Sequence, residues 1–318
     1  MFSPVITWRM MILCVIMIVF MPRAVLTDGC TKNMYLHNDG SCHPFIDCQH
    51  MDSVVIQHDL STIGFVKKLF RATVDNMAVV YSYPINKSVE NDFLHGIRML
   101  REFQGSSLVA EMIGYCDEKE KLQLLTKYYK YGSADRLKDI LEKKSLREQL
   151  QIRLNFCYDY LAALKFLHDS PLGVRVMCDS NDVTKTLSQF LITDDYRLVM
   201  VDLDALPEVD LENNVTVKCG HRQLFGDFVA PEQLWPHDHL VFDDRKMPGY
   251  DEKTDVWKIP NVLSYILGTT SMAKQVRFRM FDIFRQCKEL ESWKRPTAGS
   301  VLRTLVDVVK TLNLKIEL

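Results

Sequence analysis

The spacing of hydrophobic residues changes along the chain. Runs rich in β-branched and aromatic residues predict strands at 53–57, 66–74, 77–83, 122–129, 190–192 and 198–201. Apolar residues instead recur every three or four positions at 92–103 and 146–168, and the chain after Pro231 keeps this helical pattern. The pattern therefore predicts an α+β protein with a β-rich first lobe and a helical second lobe. We expect a ligand site in the cleft between them.

An apolar segment precedes these elements. Residues 10–21 are 12 consecutive apolar residues, about 18 Å of helix against a bilayer core of about 30 Å. Counting from 5 to 26 gives 22 residues, with Arg9 and Arg23 able to extend towards the lipid headgroups. A cleaved signal peptide and an uncleaved signal-anchor both fit, whereas a buried helix is disfavoured because no polar face exists. Since no clear small-residue cleavage site follows, we expect an anchor behind a short cytosolic tail.

Either form of this segment directs the rest of the chain into the secretory lumen. Three cysteines, Cys30, Cys42 and Cys48, follow it closely. Glycosylation acceptors of the form Asn-X-Ser/Thr occur at Asn86 and Asn214. Outside the apolar run the chain has eight cysteines, an even number that permits disulfides without specifying their pairing. These features predict a lumenal protein.

Composition narrows the class of protein only a little. Hydrophobic residues make up 47% and charged residues 25% of the 318 positions, which is ordinary for a globular chain and excludes disordered, collagen-like and coiled-coil classes. The net charge of −2 provides no basic field to hold nucleic acid. We therefore expect no nucleic-acid partner.

Three short motifs in the second half resemble those of the protein kinases. They are Ala230-Pro231-Glu232, Asp255-Val256-Trp257 and Arg295-Pro296, in the order in which kinases carry them. In that fold the glutamate of the first motif pairs with the arginine of the last. The resemblance thus implies a buried structural pair of Glu232 with Arg295, for which a bidentate guanidinium is well suited.

The metal-binding motif of kinases has a counterpart upstream. Asp202 lies 30 positions before Glu232, where the resemblance places the aspartate that holds magnesium on the nucleotide phosphates. Asp204 takes the place of the usual glycine, and on a continuing strand both carboxylates would share one face, so Asp204 could assist the metal. The alternative for this sequence is a solvated acidic turn.

The catalytic loop retains its aspartate but not the residues before it. Asp179 follows Met177 and Cys178, which stand where kinases carry histidine and arginine. Asp179 would accept the proton of the attacking hydroxyl, a role worth about 10²–10⁴-fold. Gln189, 13 positions before Asp202, replaces the metal-binding asparagine, and the 10 positions from Asp179 make this loop longer than usual. Without the arginine, we expect an activation segment that needs no phosphorylation.

The first lobe departs further from the kinase pattern. Only Gly64 remains of the glycine-rich loop, and the strand at 77–83 lacks the phosphate-binding lysine. Lys67, just after Gly64, could supply the cation instead, as a glycine-loop strand does in the with-no-lysine kinases. Lys68 would face the other way, and the alternative is two solvated lysines. Gly96 stands where the helix glutamate is expected.

The adenine site falls in the run that joins the predicted lobes. In this interpretation Thr126 faces the pocket, while the backbone of Lys127 and Tyr129 hydrogen-bonds the base. Side-chain identity carries little information here, because the hinge of a kinase binds adenine mainly through its backbone.

Longer motifs resemble one family closely, the protein O-mannose kinases. They are RVMCDSND at 175–182, KTLSQ at 185–189, DLDALP at 202–207, KCGHR at 218–222 and GDFVAPEQLWP at 226–236. The resemblance implies ATP and Mg²⁺ or Mn²⁺ as cofactors, and a single-pass type II protein of the endoplasmic reticulum membrane. It also implies transfer of phosphate to the 6-hydroxyl of an O-linked mannose in a GalNAc-GlcNAc-mannose trisaccharide on α-dystroglycan.

This resemblance fixes the expected organisation. The units are a tail and signal-anchor at 1–28, a cysteine-containing lumenal segment at 29–52, an N-lobe at 53–126 and a C-lobe at 127–318. The loop at 179–189 and the segment at 217–228 are expected to border the sugar. The alternatives are a kinase-like binding protein without catalysis and a receptor kinase with a cytosolic catalytic domain. The cysteines and glycosylation acceptors after the apolar run argue against the second.

Overall fold

The structure is a computed structural model that describes residues 30, 33–60, 66–220, 222–237 and 239–317. The predicted signal-anchor at 1–28 and the predicted loop residue Gly64 lie outside these residues. Among the residues described, no helix combines the length and the apolar character needed to cross a bilayer.

The elements follow the predicted order, strands first and helices later. The strands are β1 (Met34–Leu36), β2 (Cys42–Pro44), β3 (Val55–Asp59), β4 (Lys67–Val74), β5 (Met77–Pro84), β6 (Met112–Cys116), β7 (Gln123–Lys127), β8 (Val174–Arg175), β9 (Phe190–Ile192), β10 (Leu198–Met200) and β11 (Glu208–Val209). The helices are α1 (Glu90–Glu102), α2 (Leu137–Leu141), α3 (Leu146–His168), α4 (Val183–Leu187), α5 (Lys253–Leu267), α6 (Ser271–Arg279), α7 (Phe281–Cys287) and α8 (Ala298–Thr311).

The N-lobe is an antiparallel sheet with the strand order β3-β4-β5-β7-β6. The β4–β5 hairpin turns at Asp75 and Asn76, whose φ angles of 47° and 61° lie in the left-handed region that such tight turns require. This is the turn that the sequence predicts. Helix α1 contacts β5 and β6 and buries its apolar residues, among them Phe93 and Ile97. The sheet and α1 form one wall of the cleft.

The cysteine-containing segment is packed into the N-lobe. Its β1–β2 hairpin is closed by the Cys30–Cys42 disulfide, and Cys48 is bonded to Cys116 at the end of β6. Ile46 pairs with Gly114 of β6 so closely that a Cβ on Gly114 would lie 2.3 Å from the Ile46 carbonyl oxygen. Only glycine permits that approach.

The C-lobe is built around α3, whose observed bounds match the predicted helix at 146–168. Ser145 caps it by accepting from the Glu148 N–H, and the Glu148 carboxylate accepts from the Ser145 N–H in return. Helices α5 and α8 and strand β10 contact α3. A core of fully buried apolar side chains from these elements supports the loops at the cleft.

Several predicted boundaries shift by a few residues. The strand expected at 53–57 is observed at Val55–Asp59, the helix expected at 92–103 at Glu90–Glu102, and the strand expected at 122–129 at Gln123–Lys127. The strand expected at 198–201 ends at Met200. Asp202 and Asp204 therefore lie beyond the strand, and the premise that one strand places both on one face is wrong.

Candidate active site

Buried polar contacts fix the loop that carries Asp179. The Met177 N–H donates to Oδ2 of Asp255, 3.0 Å away, which α5 presents from the interior. Lys258, also buried in α5, donates to the Ser180 hydroxyl at 2.7 Å, and that hydroxyl donates to the Met177 carbonyl at 2.5 Å. Because these groups surround Asp179 on both sides in sequence, its backbone is anchored while its carboxylate stays about one-third exposed. A base that must meet a substrate needs both properties.

The extra length of the catalytic loop is the short helix α4. Asp182 caps it by accepting from the Lys185 N–H at 2.8 Å. Lys185 then places its Nζ 2.5 Å from Oδ2 of Asp179. Sequence reasoning did not select Lys185. The signal available was Asp182, since an aspartate directly before an apolar residue such as Val183 can mark the start of a helix.

Gln189 lies at the end of this loop and is buried. Its side-chain Nε2 donates to the Lys185 carbonyl at 3.1 Å, and its backbone carbonyl accepts from the Val201 N–H at 3.0 Å. With Nε2 used as a donor to the loop, Oε1 is the side-chain atom suited to bind a cation. The bond to Val201 also ties Gln189 to the backbone next to Asp202, so the two predicted metal ligands belong to one unit.

Lys67 reaches from the sheet to both aspartates. Its Nζ lies 2.5 Å from Oδ1 of Asp202 and 3.1 Å from Oδ2 of Asp204. Lys68, the next residue of β4, is exposed. The alternation of the strand thus turns Lys67 alone of this pair towards the cleft, as the choice of Lys67 requires.

Asp204 occupies space that Gly96 leaves open. A Cβ on Gly96 of α1 would lie 3.3 Å from the Cβ of Asp204, a tighter contact than side chains ordinarily make. The missing side chain lets α1 approach Asp204, and the Asp204 carboxylate contacts the lysine in place of a helix glutamate. Asp204, predicted as a possible metal ligand, therefore serves in this structure as a partner of Lys67.

Burial and charge shift the pKa values of this cluster. Burial opposes the charge of Lys67, but attraction to Asp202 and Asp204 outweighs it and raises the Lys67 pKa. Burial likewise opposes ionisation of Asp202, yet Lys67 lowers the Asp202 pKa, with a smaller contribution from the charge of Lys185. Burial raises the pKa of Asp204 to about 6, against the attraction of Lys67. Lys185, which contacts Asp179, thus also contributes to the electrostatics at Asp202.

The predicted hinge residues lie where β7 leads into the C-lobe, and the backbone N–H of one of them, Lys127, is already hydrogen-bonded. Thr126 is buried in β7. The Lys127 N–H donates to the Glu111 carbonyl at 2.9 Å, so only the carbonyl of Lys127 is suited to contact adenine. The expectation for Lys127 is thereby narrowed to its carbonyl group, and its contact with adenine stays a prediction. The Tyr129 hydroxyl accepts from the Glu111 N–H at 3.1 Å, and burial raises the pKa of that phenol to about 12.

Glu232 and Arg295 form the pair that the sequence predicts. Nη1 and Nη2 of Arg295 donate to Oε1 and Oε2 of Glu232 at 2.6 and 2.9 Å. Arg295 is almost fully buried and also donates to the carbonyls of Lys253, Glu289 and Leu290. The pair fastens the end of the activation segment to the helices of the C-lobe.

Comparisons with known proteins agree with this geometry. Residues 75–263 match the family described as protein tyrosine and serine/threonine kinase. The chain is 42% identical to the protein O-mannose kinases of Homo sapiens and Macaca fascicularis over 276 residues, 86% of this chain and 78% of each relative. It is also 42% identical to that of Xenopus laevis over 278 residues, 86% of this chain and 77% of the relative. This chain belongs to the protein O-mannose kinase family. It is a phosphotransferase with a protein-kinase domain.

An O-mannose kinase requires ATP and a divalent cation, and the residues present fit the cation. Asp202 and Gln189 offer a carboxylate and an amide oxygen, which are the hard ligands that such cations take beside nucleotide phosphates. A cation bound there would neutralise charge on the transferred phosphoryl group. Lys67 would hold the phosphates from the sheet side of the cleft, because its ammonium already lies against Asp202.

A disulfide joins the catalytic loop of this O-mannose kinase to its activation segment. Cys178, directly before Asp179, is bonded to Cys219. The backbone groups of neighbouring Val217 pair with those of Tyr250 at 3.0 Å in both directions, and the Cys219 N–H donates to the Tyr250 hydroxyl. Cysteine thus stands where a kinase arginine would bind a phosphorylated segment. Here a covalent bond, not attraction to a phosphate, joins the catalytic loop to this segment.

Removing this disulfide should reduce both stability and turnover. The bond spans 41 residues, a loop for which chain entropy corresponds to about 4 kcal/mol. In the double variant Cys178→Ser with Cys219→Ser, we expect a lower melting temperature and a lower kcat, because the backbone before Asp179 loses its tether. Thermal unfolding and steady-state phosphorylation measure these effects. The control is the double variant Cys30→Ser with Cys42→Ser, which removes a disulfide away from the catalytic loop and should keep the wild-type kcat. Equal kcat in wild type and in the Cys178→Ser, Cys219→Ser variant would contradict the expectation.

Proposed function

We propose that this kinase transfers the γ-phosphate of ATP to the 6-hydroxyl of an O-linked mannose within a GalNAc-GlcNAc-mannose trisaccharide on α-dystroglycan. The observation that carries the proposal is the contact of Lys67 with Asp202 and Asp204. It restores a phosphate-binding cation to a cleft whose sequence lacks the usual lysine. The motifs shared with O-mannose kinases support the choice of acceptor.

The chain's own residues supply the remaining steps. The Asp179 carboxylate accepts the proton of the mannose 6-hydroxyl as its oxygen attacks the γ-phosphorus, and the bond from that phosphorus to the β,γ-bridging oxygen of ATP breaks. Lys185, 2.5 Å from Asp179, places a positive charge where the transferred group gains negative charge. We propose Mg²⁺ as the cation, with Mn²⁺ as a substitute, because oxygen ligands suit both.

We further propose that the protein is anchored in the endoplasmic reticulum membrane by its N-terminal segment, in type II orientation, with the kinase in the lumen. Three disulfides among the described residues suit an oxidising compartment. Asn86 and Asn214 are both exposed, as glycan acceptors must be. An uncharged sugar acceptor also agrees with a chain whose net charge is −2.

The direct test is phosphorylation of the synthetic trisaccharide by the purified protein with Mg-ATP. We expect mass spectrometry to show one added phosphate on the mannose, and none on an otherwise identical trisaccharide with 6-deoxymannose. A chelator should abolish transfer, and added Mg²⁺ should restore it. ATP binding without transfer would overturn the proposal in favour of a kinase-like binding protein. Equal phosphorylation of the 6-deoxymannose analogue would overturn the assignment of the acceptor hydroxyl.

A further inference from the structure

Two histidines and an aspartate converge at the tip of the N-terminal hairpin, away from the kinase site. His37 follows β1, His43 lies in β2, and Asp39 is in the turn between them. One donor atom from each of the three lies within 4.8 Å of the others. We propose that His37, Asp39 and His43 bind a Zn²⁺ ion.

The hairpin itself brings these side chains together. Tyr35 pairs with His43 across the strands, and the turn is closed by the His37 N–H, which donates to the Ser41 carbonyl at 2.9 Å. Gly40 takes a φ of 82°, which permits a turn this short. The imidazole rings of His37 and His43 are in contact, with their planes tilted by 46° and their centroids 4.8 Å apart. Both rings therefore face one side of the hairpin, where Asp39 also lies.

A contact outside the cluster orients the first histidine for metal binding. Nε2 of His37 lies 3.4 Å from the Asp75 carbonyl oxygen, in the turn between β4 and β5. If Nε2 carries the proton and donates to this carbonyl, the Nδ1 lone pair accepts from the Asp39 N–H, 3.4 Å away, and Nδ1 lies 3.2 Å from Oδ1 of Asp39. Histidines that bind metals usually donate their second nitrogen to a carbonyl or carboxylate in this manner. The contact also connects the hairpin to the sheet.

The Ser41 hydroxyl now occupies the position between the donors. It donates to Oδ1 of Asp39 and lies 2.8 Å from Nε2 of His43. A Zn²⁺ ion would replace this bridge and draw the nitrogen and oxygen donors to about 2.0–2.2 Å. Three protein ligands leave a fourth position for water, and two imidazoles with one carboxylate favour zinc over magnesium or calcium. The donor set thus differs in kind from the oxygen ligands at Asp202 and Gln189.

The hairpin that would bind zinc is joined to the N-lobe sheet through Glu111. The Leu36 N–H donates to Oε1 of Glu111 at 2.8 Å, and the Glu111 carbonyl accepts from the Lys127 N–H. The end of β1 is thus two hydrogen bonds from the hinge. We expect zinc to fix the hairpin rather than to take part in phosphoryl transfer, so its effect should appear in stability and not in kcat.

The test is a zinc titration of the purified full chain by calorimetry, with Mg-ATP present to occupy the aspartate cluster. We expect one equivalent of Zn²⁺ to bind, with affinity reduced about tenfold or more in His43→Gln and in His37→Gln. The matched control is His50→Gln, because His50 is exposed and contacts one carboxylate, Oδ1 of Asp47 at 2.7 Å. It should bind zinc like wild type.

Two further measurements separate metal binding from misfolding. Without zinc, His43→Gln should have the melting temperature and the kcat of wild type. Added zinc should raise the melting temperature of wild type but not that of His43→Gln. Co²⁺ in place of Zn²⁺ should produce the visible absorption of a four-coordinate site in wild type only. The proposal is overturned if wild type takes up no zinc, or if His37→Gln and His43→Gln bind it as tightly as wild type does.

Discussion

Replacing Asp179 with asparagine should lower kcat for mannose phosphorylation by about 10²–10⁴-fold, since general-base catalysis contributes that much. Asparagine keeps the shape of the side chain but cannot accept the proton of the sugar hydroxyl. The KM for ATP should change little, because the proposed nucleotide contacts lie at Lys67, Asp202 and the hinge. Initial rates over a range of ATP and trisaccharide concentrations separate these effects.

The catalytic loop contains a matched control for this substitution. Asp182 is exposed and caps α4 by accepting from the Lys185 N–H. Asparagine caps helices as well as aspartate does, so Asp182→Asn should retain α4 and near-wild-type turnover. The assignment of Asp179 fails if Asp179→Asn turns over within a few-fold of wild type, or if both variants lose activity equally.

Replacing Lys67 with alanine should reduce activity by a comparable factor. Unlike Asp179→Asn, it should change the KM for ATP as well as kcat. Loss of a preorganised donor typically costs about 10²–10³-fold in turnover. Here the loss also leaves Asp202 and Asp204 close together without the ammonium that both now contact. Their repulsion should disfavour the ionised cluster and weaken ATP binding, so KM for ATP should rise while kcat falls. Steady-state kinetics and direct titration with ATP analogues measure the two effects.

Lys68→Ala is the control for the face of β4. Lys68 is exposed beside Lys67, and substitutions at such surface sites usually change the free energy of unfolding by no more than about 0.5 kcal/mol. Its activity should therefore stay near that of wild type. Equal losses in the two variants would show that the cleft-facing cation has been assigned to the wrong residue.

Features that depend on order along the chain, such as the Glu232–Arg295 pair, can be predicted from the sequence. Asp202, Glu232 and Arg295 occur at recognisable intervals, and the apolar period of α3 predicts its bounds correctly. What the sequence could not predict depends on tertiary proximity. The partnership of Lys67 with Asp204 requires the close approach of α1 that Gly96 permits, and no spacing rule indicates it. Lys185 was missed because an inserted helix brings it to Asp179.

The pairing of the cysteines also depends on tertiary proximity. Their even number permitted pairing, but the partners could be identified only from the fold. Cys48 pairs with Cys116 rather than within the early cluster, while Cys157 and Cys287 remain buried thiols. Those two sit in the helical core, where burial raises the pKa of each thiol and makes oxidation unfavourable. An even count therefore permits disulfides but does not say how many of them form.

The three disulfides among the described residues do not cross one another along the chain. Cys30–Cys42, Cys48–Cys116 and Cys178–Cys219 follow in sequence, each closing before the next begins. A chain that emerges from its N-terminus can therefore form each bond in turn, as soon as the second cysteine is exposed and without first resolving a wrong pair. The N-lobe can be complete and oxidised before the activation segment is synthesised. Maturation of this kinase should then depend on an oxidant more than on an isomerase that reshuffles disulfides.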